Sequence, residues 1–144
     1  MSNLIFSKLK IEDIDDNYIK ILSLVGKNES YDLTKIRNVY SIIENDPNTE
    51  IWVIKDNQKI ISTGTLLLEK KLYRNCQTVG HIEDICVSSD VQGKGIGKMM
   101  IDYLIEIAKS KNCYKVILDC GEHLKKFYEK CGMESKNIQM SIYF

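Results

Sequence analysis

The stretch Gln92-Gly93-Lys94-Gly95-Ile96-Gly97-Lys98 decides how the rest of the chain is interpreted. Alternate glycines remove Cβ atoms, so successive backbone N–H groups can point into one concave space. An amphipathic segment follows at 96–111, and its spacing predicts a helix with Met100, Leu104, Ile107 and Ala108 facing inward. The start of such a helix adds unpaired N–H groups and a positive dipole end, which favours a phosphate or pyrophosphate ligand. For the glycines taken alone, a flexible turn is the alternative.

Two better-known phosphate loops fit this stretch less well. A Walker A loop requires Ser or Thr after its Gly-Lys, whereas Met99 follows Lys98. A dinucleotide fingerprint requires GxGxxG directly after a strand, whereas this loop reads GxGxG and follows a polar segment at 88–92. Asp119 stands at the end of a later predicted strand, where dinucleotide-binding proteins place the acidic residue that binds the ribose. A dinucleotide therefore remains the minor alternative.

The flanking segments predict an α/β fold. Strands are predicted at 5–9, 51–54, 60–68, 79–87, 115–119 and 138–144, with a hairpin turn at 55–59. One helix is predicted from Asp13 or Asp15 to about Gly26, one from an N-cap at Thr34 to before Asp46-Pro47, and one over 124–131 before Gly132. Two early helices, an antiparallel meander and a strand–helix alternation indicate a mixed, mostly antiparallel sheet flanked by helices. No linker or repeat divides the chain, so 1–144 is predicted to form a single domain.

Composition excludes several classes of function. The chain has 144 residues, 44% of them hydrophobic and 28% charged, which is typical of a globular protein. Twenty basic and twenty acidic side chains cancel, which argues against nucleic-acid binding. There is no apolar run long enough for a membrane span and no secretory signal, so we expect a cytoplasmic protein without a membrane partner. Five scattered cysteines and two histidines predict reduced thiols and no metal site.

Three sequence blocks carry a resemblance to a known family. They are GHIEDICV at 80–87, the glycine loop at 92–98, and CYKVILDC at 113–120 together with KFYEKCG at 126–132. With these blocks the chain resembles the GNAT superfamily of N-acetyltransferases, and most closely those members that act on glucosamine 6-phosphate. The resemblance implies the GNAT fold, acetyl-CoA as co-substrate, and a homodimer with active sites at the subunit interface. It also implies a step in UDP-N-acetylglucosamine biosynthesis.

The same resemblance implies which residues hold each ligand. Acetyl-CoA would be bound by the strand predicted at 79–87, the glycine loop and the last helix. The residues are Ile85, Cys86, Val87, Gln92, Gly93, Lys94, Gly95, Ile96, Gly97, Lys98, Tyr128 and Lys130. The amino-sugar phosphate would be bound by Ser23, Lys71, Leu72, Tyr73, Arg74, Glu83, Asp84, Tyr114, Lys115 and Asp119. Two of these residues would be catalytic, Asp119 at the sugar amine and Tyr128 at the departing sulfur.

The reaction needs little base catalysis, which fits a chain with only two histidines. A 2-amino sugar resembles an α-amine with a pKa of ~7.7, so roughly 10–20% of it is neutral at pH 7. A carboxylate that orients the amine could therefore suffice. Regular strand alternation predicts that Glu83 and Asp84 point to opposite faces. From spacing alone Tyr128 could equally be a core residue, and His81 is interpreted as structural.

The sequence leaves two other functions open. Tyr143 stands where relatives usually place a phosphate-binding arginine, which leaves room for another small-molecule or protein amine as the acceptor. A non-catalytic acyl-CoA-binding module is the third possibility.

Overall fold

The computed structural model describes residues 3–26 and 30–144. Its strands are β1 Leu4–Lys8, β2 Thr49–Asp56, β3 Lys59–Lys70, β4 Thr78–Val87 and β5 Cys113–Ile117. Its helices are α1 Asp16–Leu22, α2 Leu33–Ile43, α3 Tyr73–Cys76, α4 Ile96–Ser110 and α5 Lys125–Lys130. Single 3₁₀ turns occur at Ile11–Asp13, Ser89–Val91 and Glu122–Leu124. Up to α5, the predicted order of elements is confirmed, apart from the short helix α3, which was not predicted.

The strands form one mixed sheet in the order β1-β2-β3-β4-β5. The first four strands are antiparallel, and β5 runs parallel to β4. β2 and β3 form the predicted hairpin, whose turn narrows to Asn57 and Gln58, both with positive φ. The predicted α/β architecture with a mostly antiparallel sheet is therefore confirmed.

Each face of the sheet carries its own core. On the α4 face, helix α4 buries Met100, Leu104 and Ala108 against side chains such as Leu66 and Ile82. On the opposite face, which we call the α1–α2 face, the buried residues are Leu9, Ile14, Tyr18, Ile21, Tyr40, Val53, Ile60 and Cys86. The inward stripe predicted for α4 is confirmed, except that Ile107 is only partly buried.

Polar anchors hold the two N-terminal helices on the sheet. Asp15 caps α1 by accepting a hydrogen bond from the backbone N–H of Tyr18 at 2.9 Å, so the second of the two predicted starts is confirmed. Helix α2 begins one residue before the predicted cap, because Asp32 Oδ1 accepts hydrogen bonds from the N–H groups of Thr34 and Lys35. Thr34 is therefore inside the helix, and its prediction as the N-cap is wrong. Helix α1 also ends at Leu22, earlier than predicted.

The predicted final strand at 138–144 is wrong for this chain. The segment, which we call the tail, has no strand partner in the described part of the chain. Its alternating apolar residues Ile138, Met140, Ile142 and Phe144 are all at least 78% exposed. Alternation alone does not make a strand, because a strand also needs an adjacent edge with which to pair.

The cysteines of the described residues are all free thiols, with Cys86 and Cys131 buried. Burial raises the pKa of the Cys86 thiol to about 12, so this group packs as a neutral side chain. Among the described residues there is no helix with the length and apolar character needed to cross a bilayer.

Candidate active site

Strand β4 extends beyond the end of β5 and leaves one of its own edges open. The two strands pair only from Thr78↔Cys113 to His81↔Ile117. Beyond that point, β4 continues to pair with β3 as far as Val87, but no described strand pairs with its other edge. Unpaired backbone groups along such an edge can bind an extended ligand in the manner of an added strand. We call this space, between 82–87 of β4 and 118–120, the cleft.

The glycine loop closes one end of the cleft. Gly93 and Gly95 have φ of +76° and +82°, and a Cβ at either position would meet no atom within 4 Å. Gly95 is also the N-cap of α4, so the free N–H groups of that helix begin here. Gly97 differs, because its Cβ position lies 3.2 Å from Phe127 Cζ and 3.5 Å from a methyl group of Val87. The loop thus presents open backbone on one side and packs against α5 and the end of β4 on the other, as an anion site requires.

The side chains of the loop mainly hold the loop itself. Gln92 Nε2 donates to the Val87 carbonyl at 3.1 Å, and Lys94 Nζ donates to the Asp90 carbonyl at 3.2 Å. Lys98 is paired with Asp102 at 2.6 Å, and Ile96 is buried in the core. An anion here would therefore be bound chiefly by backbone N–H groups. Lys130, on α5, is exposed.

Tyr128 on α5 both packs against the core and borders the cleft. Its ring meets that of Phe127 edge to face, with centroids 4.9 Å apart. Burial raises the pKa of the Tyr128 phenol, and the neighbouring Cys120, Cys131 and Asp119 raise it further. The phenol therefore stays protonated at neutral pH and can donate a hydrogen bond. The two interpretations of Tyr128, as core residue and as site residue, are compatible.

Glu83 is partly buried beside the cleft, within electrostatic range of two other carboxyl groups. Burial raises the pKa of Glu83, and the negative charges of Asp119 and Asp84 act in the same direction, whereas His81 opposes them. Such a group can hold an ammonium or an amine hydrogen. The His81 ring is engaged elsewhere, since its Nε2 lies 2.8 Å from Glu69 Oε2.

Cations and aromatic rings gather beside the start of β4, in what we call the cationic cluster (Lys71, Tyr73, Arg74, Tyr114 and Lys115). The Arg74 guanidinium lies 5.3 Å from the ring centroid of Tyr114, and Lys115 Nζ lies 5.5 Å from the same centroid. Lys71 Nζ is 5.9 Å from the ring centroid of Tyr73. Interaction between the two phenols raises the pKa of Tyr73 and lowers that of Tyr114, although the buried Tyr114 hydroxyl has no hydrogen-bond partner among the described residues.

Local backbone geometry explains the cationic cluster. In α3 the residues Arg74, Asn75 and Cys76 all have positive φ, so this turn is left-handed. The pairing Thr78↔Cys113 is followed by Val79↔Lys115, which makes Tyr114 an extra residue on β5. Leu72, predicted to contact the sugar, is 94% exposed. Ser23 stands at the C-terminus of α1, where its hydroxyl donates to the Lys20 carbonyl at 2.8 Å.

Sequence reasoning missed the irregularity in the middle of β4. The pairs Thr63↔Cys86 and Thr65↔Glu83 leave Asp84 and Ile85 opposite the single residue Gly64. We call this the β4 bulge. The regular alternation predicted across Glu83 and Asp84 is therefore wrong. A glycine inside the Ser62-Thr63-Gly64-Thr65 strand pattern was the available signal, since it often marks a bulge or a close approach.

Among the described residues, no group of three or more His, Cys, Asp or Glu side chains is arranged to hold a metal ion.

Comparison with known proteins points to one family. The family model described as "Acetyltransferase (GNAT) family" matches residues 13–133. A glucosamine 6-phosphate N-acetyltransferase of Arabidopsis thaliana is 42% identical, over 95% of this chain and 94% of the relative. The enzyme of the same name from Candida albicans is 38% identical, over 94% of this chain and 92% of the relative. The crystal structure of an Arabidopsis thaliana glucosamine-6-phosphate N-acetyltransferase superposes with a TM-score of 0.91, at 40% identity over 99% of both chains.

Proposed function

Because the chain belongs to the acetyltransferase (GNAT) family, we propose that it moves the acetyl group of acetyl-CoA onto the 2-amino group of glucosamine 6-phosphate. The products are N-acetylglucosamine 6-phosphate and CoA, which places the reaction in UDP-N-acetylglucosamine biosynthesis. We further propose that the enzyme works in the cytoplasm.

The order of charges along β4 carries this proposal. The cationic cluster lies beside the start of the strand, the three carboxyl groups near its middle, and the glycine loop at its end. An amino-sugar phosphate and acetyl-CoA, laid end to end, carry the complementary order: sugar phosphate, amine, thioester and pyrophosphate. Each charged part of the two ligands thus meets a group of opposite sign or a backbone donor.

The glycine loop fits the donor. Gly93 and Gly95 leave open space where side chains would otherwise stand, and Gln92 keeps the loop joined to the end of β4. The backbone of 93–98, with Lys130 nearby, would hold the pyrophosphate, and the free edge at Ile85, Cys86 and Val87 would lie beside the pantetheine arm. Acetyl-CoA supplies an activated carbonyl carbon and a thiolate leaving group.

The residues of the cleft would then act on the acceptor. Asp119 and Glu83 orient the amine so that its lone pair faces the thioester carbon, and Asp84 meets the sugar ring. A backbone N–H of β4 polarises the carbonyl oxygen. Tyr128 donates its hydrogen bond to the sulfur as the C–S bond breaks, and the proton lost by the amine leaves through the carboxyl groups to solvent.

The sugar phosphate would meet the cationic cluster. Arg74 and Lys115 already approach one ring, that of Tyr114, so a phosphate at this position would face two cations. Lys71 lies over Tyr73 and would supply a third cation on leaving its ion pair with Glu69. Leu72 would contact the sugar from the same turn, and Ser23 from the end of α1.

One assay tests the function. Purified protein is incubated with acetyl-CoA and a panel of amines, and free CoA is followed with a thiol reagent. We expect turnover with glucosamine 6-phosphate and at least a tenfold lower kcat/KM with glucosamine, because the cationic cluster loses its partner. The matched variants are Lys115→Met, expected to weaken the phosphorylated acceptor, and Lys109→Met on the outer face of α4, expected to change nothing. Turnover only with other amines would contradict glucosamine 6-phosphate as the acceptor. CoA binding without any turnover would contradict the proposal that the protein is an enzyme.

We also propose that the protein is a homodimer with active sites at the subunit interface. Two features support it: the tail offers an alternately apolar segment without a partner, and β5 has an outer edge with no strand beside it in the described part of the chain. A second copy can satisfy both, because an extended segment pairs readily with an open sheet edge.

A further inference from the structure

Glu69, near the end of β3, joins the cationic cluster to β4. One of its carboxylate oxygens, Oε1, pairs with Nζ of Lys71, and the other, Oε2, lies 2.8 Å from Nε2 of His81. Hydrogen bonds from Lys71 and then from His81 lower the pKa of Glu69, so this carboxyl group is ionised at neutral pH. An ionised carboxylate only accepts hydrogen bonds, so His81 Nε2 donates to it. We call these three residues the Glu69 bridge.

The register of β3 and β4 brings Glu69 and His81 together. Leu67 is paired with His81 and Glu69 with Val79, so Glu69 and His81 are diagonal neighbours on one face of the sheet. Glu83 follows His81 by two residues of regular strand, before the β4 bulge, and so lies on the same face. The Glu69 bridge therefore runs from the place proposed for the sugar phosphate towards the place proposed for the amine.

Lys71 is anchored through its backbone, whereas its side chain can change partners. Its backbone N–H donates to the Gln77 carbonyl at 3.0 Å, which closes the turn around α3. Its ammonium group pairs with Glu69 and also lies 5.9 Å from the ring centroid of Tyr73. A lysine ammonium is carried on a flexible four-carbon stem, so small rotations can exchange one anionic partner for another. Glu69 is the anionic partner that the chain itself supplies.

A sugar phosphate at the cationic cluster would compete with Glu69 for the same ammonium group. We propose that Glu69 is a positioning residue that acts as a built-in counter-anion: it holds Lys71 until the phosphate of the acceptor displaces it, and it recovers Lys71 when the product leaves. The inference rests on the proposed function.

The phosphate is common to the acceptor and to its acetylated product. Tighter binding of this group therefore strengthens the binding of both molecules without speeding the chemical step. A carboxylate that competes for Lys71 limits how strongly the product is retained. His81 contributes by holding Oε2 of Glu69, which leaves Oε1 directed to Lys71.

The first test measures the affinity for N-acetylglucosamine 6-phosphate by isothermal titration calorimetry. Glu69→Gln keeps the shape of the side chain and removes its charge. We expect its Kd to be about three- to fivefold lower than that of the wild type, which is the upper range for a partly exposed ion pair. Glu106→Gln removes an equal charge from an exposed pair with Lys109 on the outer face of α4, and it should leave the Kd unchanged.

A double-mutant cycle tests whether Glu69 acts through Lys71. Lys71→Met removes the ammonium group and should raise the Kd at least about fivefold. With Lys71→Met already present, Glu69→Gln should change the Kd less than about twofold, because the carboxylate then has no ammonium group to withhold.

Steady-state kinetics provide a second readout. In Glu69→Gln the KM for glucosamine 6-phosphate should fall while kcat does not rise, because the added affinity is shared by acceptor and product. With glucosamine, which has no phosphate, kcat/KM should equal that of the wild type.

The outcomes separate this inference from the function. A wild-type protein that does not acetylate glucosamine 6-phosphate would overturn the proposed function itself. A wild type that acetylates it, while Glu69→Gln binds the product no more tightly than the wild type does, would overturn the role of Glu69. Equal gains from Glu69→Gln with and without Lys71→Met would also overturn that role, since the carboxylate would then act by repelling the phosphate and not by holding the lysine.

Discussion

At the scale of single residues, Tyr128 joins the packing of α5 to the chemistry of the cleft. Its phenol stays protonated because burial and nearby negative groups raise its pKa. The thiol of CoA has a pKa of ~8.5, so its thiolate is a tolerable leaving group without a hydrogen-bond donor.

We therefore expect Tyr128→Phe to lower kcat roughly tenfold, with the KM for acetyl-CoA changed less than threefold. The control is Tyr103→Phe, because Tyr103 of α4 packs in another aromatic group, with its ring centroid 4.6 Å from that of Phe6 on β1. Steady-state kinetics on both variants provide the measurement, and an unchanged kcat for Tyr128→Phe would remove the hydrogen-bond role.

Glu50 is a buried carboxylate that joins three elements. Burial alone would raise the pKa of Glu50, but hydrogen bonds from Lys111, Lys8 and Trp52 together bring it below the ordinary value. Lys111 Nζ lies 2.7 Å and Lys8 Nζ 2.9 Å from Oε1, so the carboxylate links β2 to β1 and to the end of α4.

The lowered pKa fixes the direction of a pH effect on stability. Because the folded pKa lies below the unfolded value, the contribution of Glu50 is present above about pH 4.5 and is lost as the pH falls through the folded pKa. Both lysines are partly exposed, so we expect Glu50→Gln to lower the free energy of unfolding by about 1–2 kcal/mol at pH 7.

Urea denaturation at pH 7 and pH 3.5 measures this effect, and the difference between wild type and Glu50→Gln should shrink at the lower pH. Glu106→Gln, which removes an exposed pair with Lys109 on α4, is the control and should change stability by less than about 0.5 kcal/mol. An equal effect of the two substitutions would show that burial of Glu50 is unimportant.

At the scale of elements, the glycine loop and α4 work as one unit. Gly95 is both the left-handed N-cap of α4 and part of the open backbone of the loop. An alanine there would cause no steric clash in the free protein, but its methyl group would stand in the space proposed for the pyrophosphate.

We expect Gly95→Ala to weaken CoA binding at least tenfold and to lower the free energy of unfolding by only about 1 kcal/mol. Gly132→Ala is the matched control, because Gly132 has φ of +83°, has nothing within 4 Å of its Cβ position, and follows the end of α5. It should show the same loss of stability with unchanged CoA affinity. Calorimetric titration of the two variants measures the CoA affinity, and thermal unfolding measures the loss of stability.

Elements were predictable where one physical signal dominated. The stripe of α4 and the glycine loop are local in sequence, and both are found where the pattern predicted them. The α2 cap was misassigned because Asp32 and Thr34 are both good N-cap residues two positions apart. The β4 bulge was missed because it depends on the fit between Ile85 and Gly64, which are far apart in the chain. The gathering of Lys71, Arg74 and Lys115 came from the resemblance, since a left-handed α3 cannot be inferred from Tyr73-Arg74-Asn75-Cys76.

At the scale of the whole molecule, the tail and the outer edge of β5 bear on assembly. Exposed apolar residues at every second position would be unfavourable in an isolated monomer. The predicted final strand failed for the same reason, because its partner is not part of the same chain in the arrangement that we propose.

The double variant Met140→Asp with Ile142→Asp should therefore convert the protein from dimer to monomer in sedimentation-velocity experiments. If the active sites lie at the interface, kcat with glucosamine 6-phosphate should fall with the loss of the dimer. Ile42→Asp, which changes an exposed residue of α2, is the control and should leave the sedimentation coefficient as it is. A double variant that remains dimeric would exclude the tail from the interface.

The one-sided pairing of β4 has a consequence for hydrogen–deuterium exchange. From Thr78 to His81 the strand is flanked by β3 and β5, whereas from Glu83 to Val87 it is flanked by β3 alone. In the free protein, amides on the open margin should therefore take up deuterium well before those on the flanked half, although both belong to one strand. Filling the open margin with an acyl-CoA should bring the two halves to similar protection, so a single peptide spanning the strand would report occupancy without any catalytic turnover.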